Sequence, residues 1–180
     1  MCNHQNPRPS RRRMLALMAA SSAAMGLGVT PQLAQAAATP IDLPKPGPKD
    51  TCPVCGMFVA KYPEWVATVL YEDGHADHFD GAKDFFKYLH DMEKYAQGRT
   101  ADQIKGMGVT EYYSLKMIEA HGAIYAIGSD VLGPMGHELI PLMNEADASD
   151  FLKDHKGKRT LAFDEVKDDL LTRLDNGQTD

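Results

Sequence analysis

Trp65-Val66-Ala67-Thr68-Val69-Leu70-Tyr71-Glu72-Asp73-Gly74-His75-Ala76-Asp77-His78-Phe79-Asp80-Gly81-Ala82-Lys83-Asp84-Phe85-Phe86-Lys87 carries a complete local plan. β-Branched and aromatic residues fill the first run, Asp73-Gly74 supplies a turn, and a second run ends at Phe79. That pattern predicts a β-hairpin. Asp80-Gly81 then opens a segment in which Phe85, Phe86, Leu89 and Met92 recur near helical spacing, so the hairpin leads into a helix.

The same plan recurs downstream. Ala123-Ile124-Tyr125-Ala126-Ile127 reads as a strand, Gly133-Pro134-Met135-Gly136 as a tight turn, and Glu138-Leu139-Ile140-Pro141-Leu142-Met143 as a second strand. A helix follows from Glu145, with Ala148, Phe151 and Leu152 facing inward. Ala82-Lys83-Asp84-Phe85-Phe86-Lys87 can be laid over Ala148-Ser149-Asp150-Phe151-Leu152-Lys153. The expected fold is α+β: two similar β-hairpin-plus-helix (ββα) units packed into one compact domain, since one unit alone cannot bury its sheet face. The first unit spans residues 50–96 and the second residues 123–180, the latter with a terminal strand from Arg159 to Phe163 and a helix from Asp164 to Leu174. Residues 97–122 read as a connector, of which Gln97 to Gly108 is polar and Gly-punctuated with room for a short helix. Residues 37–49, rich in Pro and Lys, read as an extended linker.

Ahead of the linker, residues 1–36 have the form of an export signal. Arg8, Arg11, Arg12 and Arg13 precede a weakly apolar run from Met14 to Val29, which exits through Ala34-Gln35-Ala36. Ser10-Arg11-Arg12-Arg13-Met14-Leu15 looks like a twin-arginine signal, an address for an already folded chain, with an ordinary secretory signal as the alternative. Cleavage near Ala36 and a periplasmic location are expected. Of 19 basic and 25 acidic residues, four arginines lie in the signal, leaving 15 against 25 and a formal charge of −10. That sign argues against nucleic acid or anionic lipid as a partner and is compatible with a cationic cargo.

With Cys2 in the signal, Cys52 and Cys55 are the two cysteines of the mature chain, in a compartment that oxidises thiols, so they are bridged or metal-bound. They sit in Cys52-Pro53-Val54-Cys55-Gly56-Met57. A thioredoxin-like pair would open a helix, but Met57-Phe58-Val59 reads as strand. A c-type haem needs His after the second Cys, where Gly56 stands. A Cys2His2 zinc knuckle would need His75 and His78. A Cu(I) site needs only two or three convergent soft donors, and Cys55 and Met57, two apart on an extended chain, would face one side. Met135, a large apolar side chain in a Gly/Pro turn, is a further soft donor and His137 a candidate of intermediate softness. Redox, zinc and copper readings all remain open on the residues alone.

The hexapeptide, Tyr71-Glu72-Asp73-Gly74, Phe79-Asp80-Gly81-Ala82-Lys83-Asp84-Phe85-Phe86, Gly128-Ser129 and Gly133-Pro134-Met135-Gly136-His137-Glu138-Leu139-Ile140-Pro141 together closely resemble the NosL family, over nearly all of residues 50–166. NosL proteins are periplasmic copper chaperones of nitrous oxide reductase maturation. The resemblance implies one Cu(I) per monomer and no enzymatic activity. It also implies delivery to apo-nitrous oxide reductase with a membrane ABC-type maturation complex. Carried over by position, Cys55, Met57 and Met135 are the leading copper ligands, with Cys52 and His137 second. The chain departs from the family's common lipoprotein form, having no Cys at the signal exit, so a soluble or signal-anchored protein is expected. The proximity of Cys52 also allows air oxidation to a Cys52–Cys55 disulfide.

Overall fold

The hairpin expected at Asp73-Gly74 is present in the structure, a computed structural model that describes residues 37–179. The expected export signal, residues 1–36, lies outside the described residues. Strands β1 (Ala67–Tyr71) and β2 (Ala76–Phe79) pair antiparallel, with Ala67 opposite Phe79 and Leu70 opposite Ala76. Gly74 turns the chain at a φ of 86°, a region that a Cβ disfavours. Helix α1 (Ala82–His90) follows directly, then a single-turn helix α2 (Met92–Tyr95).

The segment that reads as a connector holds two strands. β3 (Ile104–Thr110) and β4 (Met117–Glu119) complete a four-stranded antiparallel sheet in the order β2-β1-β3-β4. Gly106 and Gly108 obscure β3 in the sequence, and the structure explains them by what lies on top. A Cβ on Gly108 would stand 2.8 Å from Met117 Cγ and 2.9 Å from Leu43 Cδ1, and one on Gly106 would touch Ile41 and Leu43. The Pro-rich segment that reads as a linker is docked. Glu119 N–H donates to Thr39 O at 2.9 Å, Ile41 N–H donates to Met117 O at 3.1 Å, and Pro40 bridges Ile118. Residues 38–43 thus form a strap along β4 whose side chains fill the space left by the glycines.

The second half contains β5 (Ile124–Ile127), a small hairpin of β6 (Leu132–Gly133) and β7 (Gly136–His137), β8 (Ile140–Leu142), α3 (Glu145–Asp154), β9 (Arg159–Leu161) and α4 (Asp168–Asp175). Its antiparallel sheet has the order β8-β5-β9. In each half the first strand is central, the second lies on one side, and the strand after the helix lies on the other. The shared topology is therefore strand-strand-helix-strand, one strand longer than the hairpin-plus-helix plan read from the sequence.

β5 is buried on both faces, which accounts for its unbroken apolar run. Tyr125 and Ile127 face the main core with Phe79, Phe85, Phe86, Val109 and Leu170, while Ile124 and Ala126 pack with Ala148 and Phe151 of α3. An aromatic contact ties the halves together, Phe86 standing edge-on to Tyr125 at 5.0 Å between ring centroids, while Phe79 meets Phe85 at 5.8 Å within the first half. Each such ring contributes about 1.5–3 kcal/mol by burial alone. α1 is thus pinned by Phe85 and Phe86, which fixes where its first turn lies. Among the described residues no helix is long and apolar enough to cross a membrane.

Candidate metal centre

The cysteines sit in a loop closed by an antiparallel bridge between Thr51 and Phe58 and by Cys52 N–H donating to Met57 O at 2.8 Å. Within it Gly56 N–H donates to Cys52 O at 2.9 Å, and Gly56 adopts a φ of 79°, so the turn depends on a residue without a Cβ. This folding leaves backbone N–H groups directed at sulfur. Those of Cys55 and Val54 near Cys52, and that of Met57 near Cys55, favour the ionised sulfur. The strand expected over Met57-Phe58-Val59 is limited to the single bridge at Phe58, because Val59–Lys61 curls into a turn of 3-10 helix.

The start of α1 forms the opposite wall. Asp80 precedes the helix and Asp84 lies in its first turn, where the helix amides favour negative charge. Cys55 Sγ donates to Asp80 Oδ1 at 3.2 Å and Cys52 Sγ to Asp84 Oδ2 at 3.4 Å. One ligand atom from each of Cys52, Cys55, Asp80 and Asp84 falls within 4.8 Å of all the others. Cys52 and Asp80 are 1% exposed and Asp84 3%, whereas Cys55 is half-buried and gives the group its outward face. Asp80 Oδ2 is buried with no hydrogen-bond partner among the described residues. Sequence reasoning does not single out Asp80 and Asp84. The available signal is their spacing of one helical turn at a helix start that follows the hairpin.

Burial is the largest influence on both thiols. It pushes Cys52 well above the ordinary thiol range, with Asp84 adding to the rise and the N–H groups of Cys55 and Val54 opposing it. Cys55 is pushed up to about 12 by burial, opposed by the Met57 N–H and reinforced by Asp84 and Asp80. Both are therefore neutral S–H donors in the metal-free protein. A reactive redox cysteine requires the reverse shift, toward thiolate. The zinc-knuckle reading also loses its ligands. His75 is exposed beside Asp77 at 3.1 Å, and His78 is buried with Nδ1 on Thr68 Oγ1 at 2.9 Å, so neither joins the cysteines.

The β6–β7 hairpin lies against the start of α1. Pro134 at the first turn position excludes the positive φ of the commonest two-residue hairpin turns, and the left-handed residue is Gly136 instead, at φ 86°. Met135 is 46% exposed at the tip. Glu138, just past the hairpin, is buried and caps α1 from a distance: its Oε1 accepts Lys83 N–H at 2.6 Å and Leu139 N–H at 2.9 Å. α1 has no cap of its own because its N-cap is Gly81, and a Cβ there would stand 2.3 Å from Glu138 Oε2. The hairpin therefore rests on the residue adjoining Asp80. Met57 is half-buried in the cysteine loop. His137 is half-buried on β7 with its ring against Gly177, outside the group of four.

The NosL family model matches residues 44–171. Comparison with curated protein sequences finds no match. Among solved structures, the crystal structure of the copper chaperone NosL from Shewanella denitrificans matches with a TM-score of 0.58 at 22% identity, covering 73% of this chain and 99% of that one. At that identity the likeness speaks for the fold, while the family model spans most of the chain and takes in the cysteine loop, both carboxylates and the Met135 hairpin: the chain belongs to the NosL family.

Proposed function

We propose that this protein is a periplasmic Cu(I) metallochaperone that delivers copper to apo-nitrous oxide reductase, working with a membrane ABC-type maturation complex. The observation that carries the copper reading is the pairing of two thiols, each on a buried carboxylate, with Cys55 open to the outside. Membership of the NosL family and the description of the solved relative as a copper chaperone support it. The chain's acidity supports a cationic cargo over nucleic acid.

Cu(I) selects thiolate and thioether donors and accepts low coordination. Cys55, Met57 and Met135 are the principal ligands of one Cu(I), with Cys52 and His137 as accessory donors. In the metal-free state the thiols keep their protons and donate them in hydrogen bonds to Asp80 and Asp84. Loading exchanges an S–H proton for the cation, so the thiolate charge appears only when a metal compensates it. Copper stays in the +1 state throughout and no bond in an organic substrate changes. Release follows by stepwise ligand exchange, the acceptor's donors entering on the exposed Cys55 side.

Anaerobic titration of the reduced mature chain with Cu(I) and Zn(II), read by native mass spectrometry and a chromogenic competitor, tests this. One tightly held Cu(I) is expected. Cys55→Ser should weaken it by more than the roughly 10–100-fold typical of groups that only orient ligands, with the fold unchanged by circular dichroism. Unchanged Cu(I) affinity in Cys55→Ser, or tight Zn(II) whose removal unfolds the chain, overturns the reading. Transfer to apo-nitrous oxide reductase in a mixed sample tests the delivery step.

A further inference from the structure

Lys83 lies in the first turn of α1 and is 1% exposed. Withdrawing an ammonium from water costs several kcal/mol unless it is well paired, and an apolar residue of similar volume would pack there without that cost. Among the described residues its Nζ meets Met135 O at 3.1 Å and Asp175 Oδ1 at 3.1 Å. The first is in the tip of the β6–β7 hairpin and the second ends α4. Asp175 also accepts Lys87 Nζ at 2.7 Å, and Lys87 reaches Asp84 Oδ1 at 3.3 Å. A continuous polar chain therefore runs from Cys52 through Asp84, Lys87, Asp175 and Lys83 to the Met135 carbonyl.

Lys83 grips the hairpin region twice. Its backbone N–H holds Glu138 at the foot and its ammonium holds Met135 at the tip. The ammonium thereby fixes the turn against the helix that carries Asp84.

We propose that Lys83, with Asp175 as its counter-ion, is a positioning residue for copper binding: it holds the Pro134-Met135 turn against the start of α1 so that the Met135 thioether stays available to a Cu(I) ion on Cys55. The proposal rests on the copper reading above and on Met135 as a donor.

The test measures Cu(I) affinity by anaerobic competition and counts sulfur neighbours by copper X-ray absorption in the mature chain and its Lys83→Met, Asp175→Asn, Met135→Ala and Cys55→Ser variants. Met135→Ala is expected to lose one sulfur neighbour and about tenfold in affinity, and Lys83→Met to lose the same neighbour and about as much. The double variant Lys83→Met/Met135→Ala should be no weaker than Met135→Ala, since both changes remove one contribution. Wild-type sulfur count and affinity in Lys83→Met, losses that add in the double variant, or no effect of Met135→Ala each overturn the proposal. If Lys83→Met does not fold, the same cycle with the surface variant Asp175→Asn decides, additivity again overturning it. A wild-type chain without Cu(I), or an unaffected Cys55→Ser, instead defeats the copper reading itself.

Discussion

Cys55 and Asp80 meet at 3.2 Å, Sγ to Oδ1, and the other Asp80 oxygen is buried without a hydrogen-bond partner among the described residues. The carboxylate helps keep the thiol protonated, because a thiolate there would face a like charge. Asp80→Asn keeps the shape and removes the charge, so the Cys55 thiol should ionise at lower pH. In the reduced, metal-free protein the variant is expected to react faster with iodoacetamide at about pH 8 than wild type, after correction for Cys52 with Cys52→Ser. Identical pH–rate profiles would show that Asp80 does not govern this thiol.

Gly81→Ala tests the remote cap on α1. The backbone there is extended, so any residue tolerates it, and the cost is the collision of a new Cβ with Glu138 Oε2. Overpacking of this kind costs about 1–3 kcal/mol. A lower urea midpoint with an unchanged denaturant slope is the expected result, and wild-type stability would place Glu138 elsewhere.

Glu138 also gives a pH dependence of stability. Burial, partly offset by the Leu139 N–H and the Lys83 charge, raises its carboxyl from 4.5 to about 8. Between those values the folded protein holds a proton that the unfolded chain has released. Its contribution to stability is therefore complete below 4.5 and declines as pH rises through about 8. Glu138→Gln should flatten this decline. Urea midpoints of the two proteins, compared at about pH 5 and about pH 8, should diverge toward the higher pH. Parallel midpoints would mean that Glu138 is ionised throughout.

Gly108→Ala probes the strap. The added carbon meets Met117 and Leu43, so destabilisation of about 1–3 kcal/mol is expected. The Ile41 amide, which bonds Met117 O at 3.1 Å, should exchange with solvent faster. Adding Leu43→Ala should recover part of the loss, since the two side chains compete for one space. Unaltered Ile41 exchange would show that the strap is not seated by Gly108.

The elements legible in the sequence are those whose signal is local. Asp73-Gly74 marks the first hairpin, the spacing of Phe85 and Phe86 marks α1, and the apolar run from Ile124 marks β5. β3 is hidden because the reason for Gly106 and Gly108 is a pair of side chains, Ile41 and Leu43, far away in the chain. The site divides in the same way. Its thiols stand out as a motif, but Asp80 and Asp84 look like ordinary helix-start acids until folding lays them against sulfur. Glu138 and Lys83 carry no signal, since their roles exist only across the contact between the halves.

That α1 takes its cap from residue 138 has a consequence for the order of events during synthesis. A nascent chain that has passed Asp84 possesses both cysteines and both aspartates, yet the helix start that aligns the carboxylates still lacks the side chain that closes it. Bringing Glu138 back across 55 residues incurs a loop-closure entropy that only the assembled core can offset. The alignment of the carboxylates against sulfur is thus a property of the assembled domain rather than of its sulfur motif.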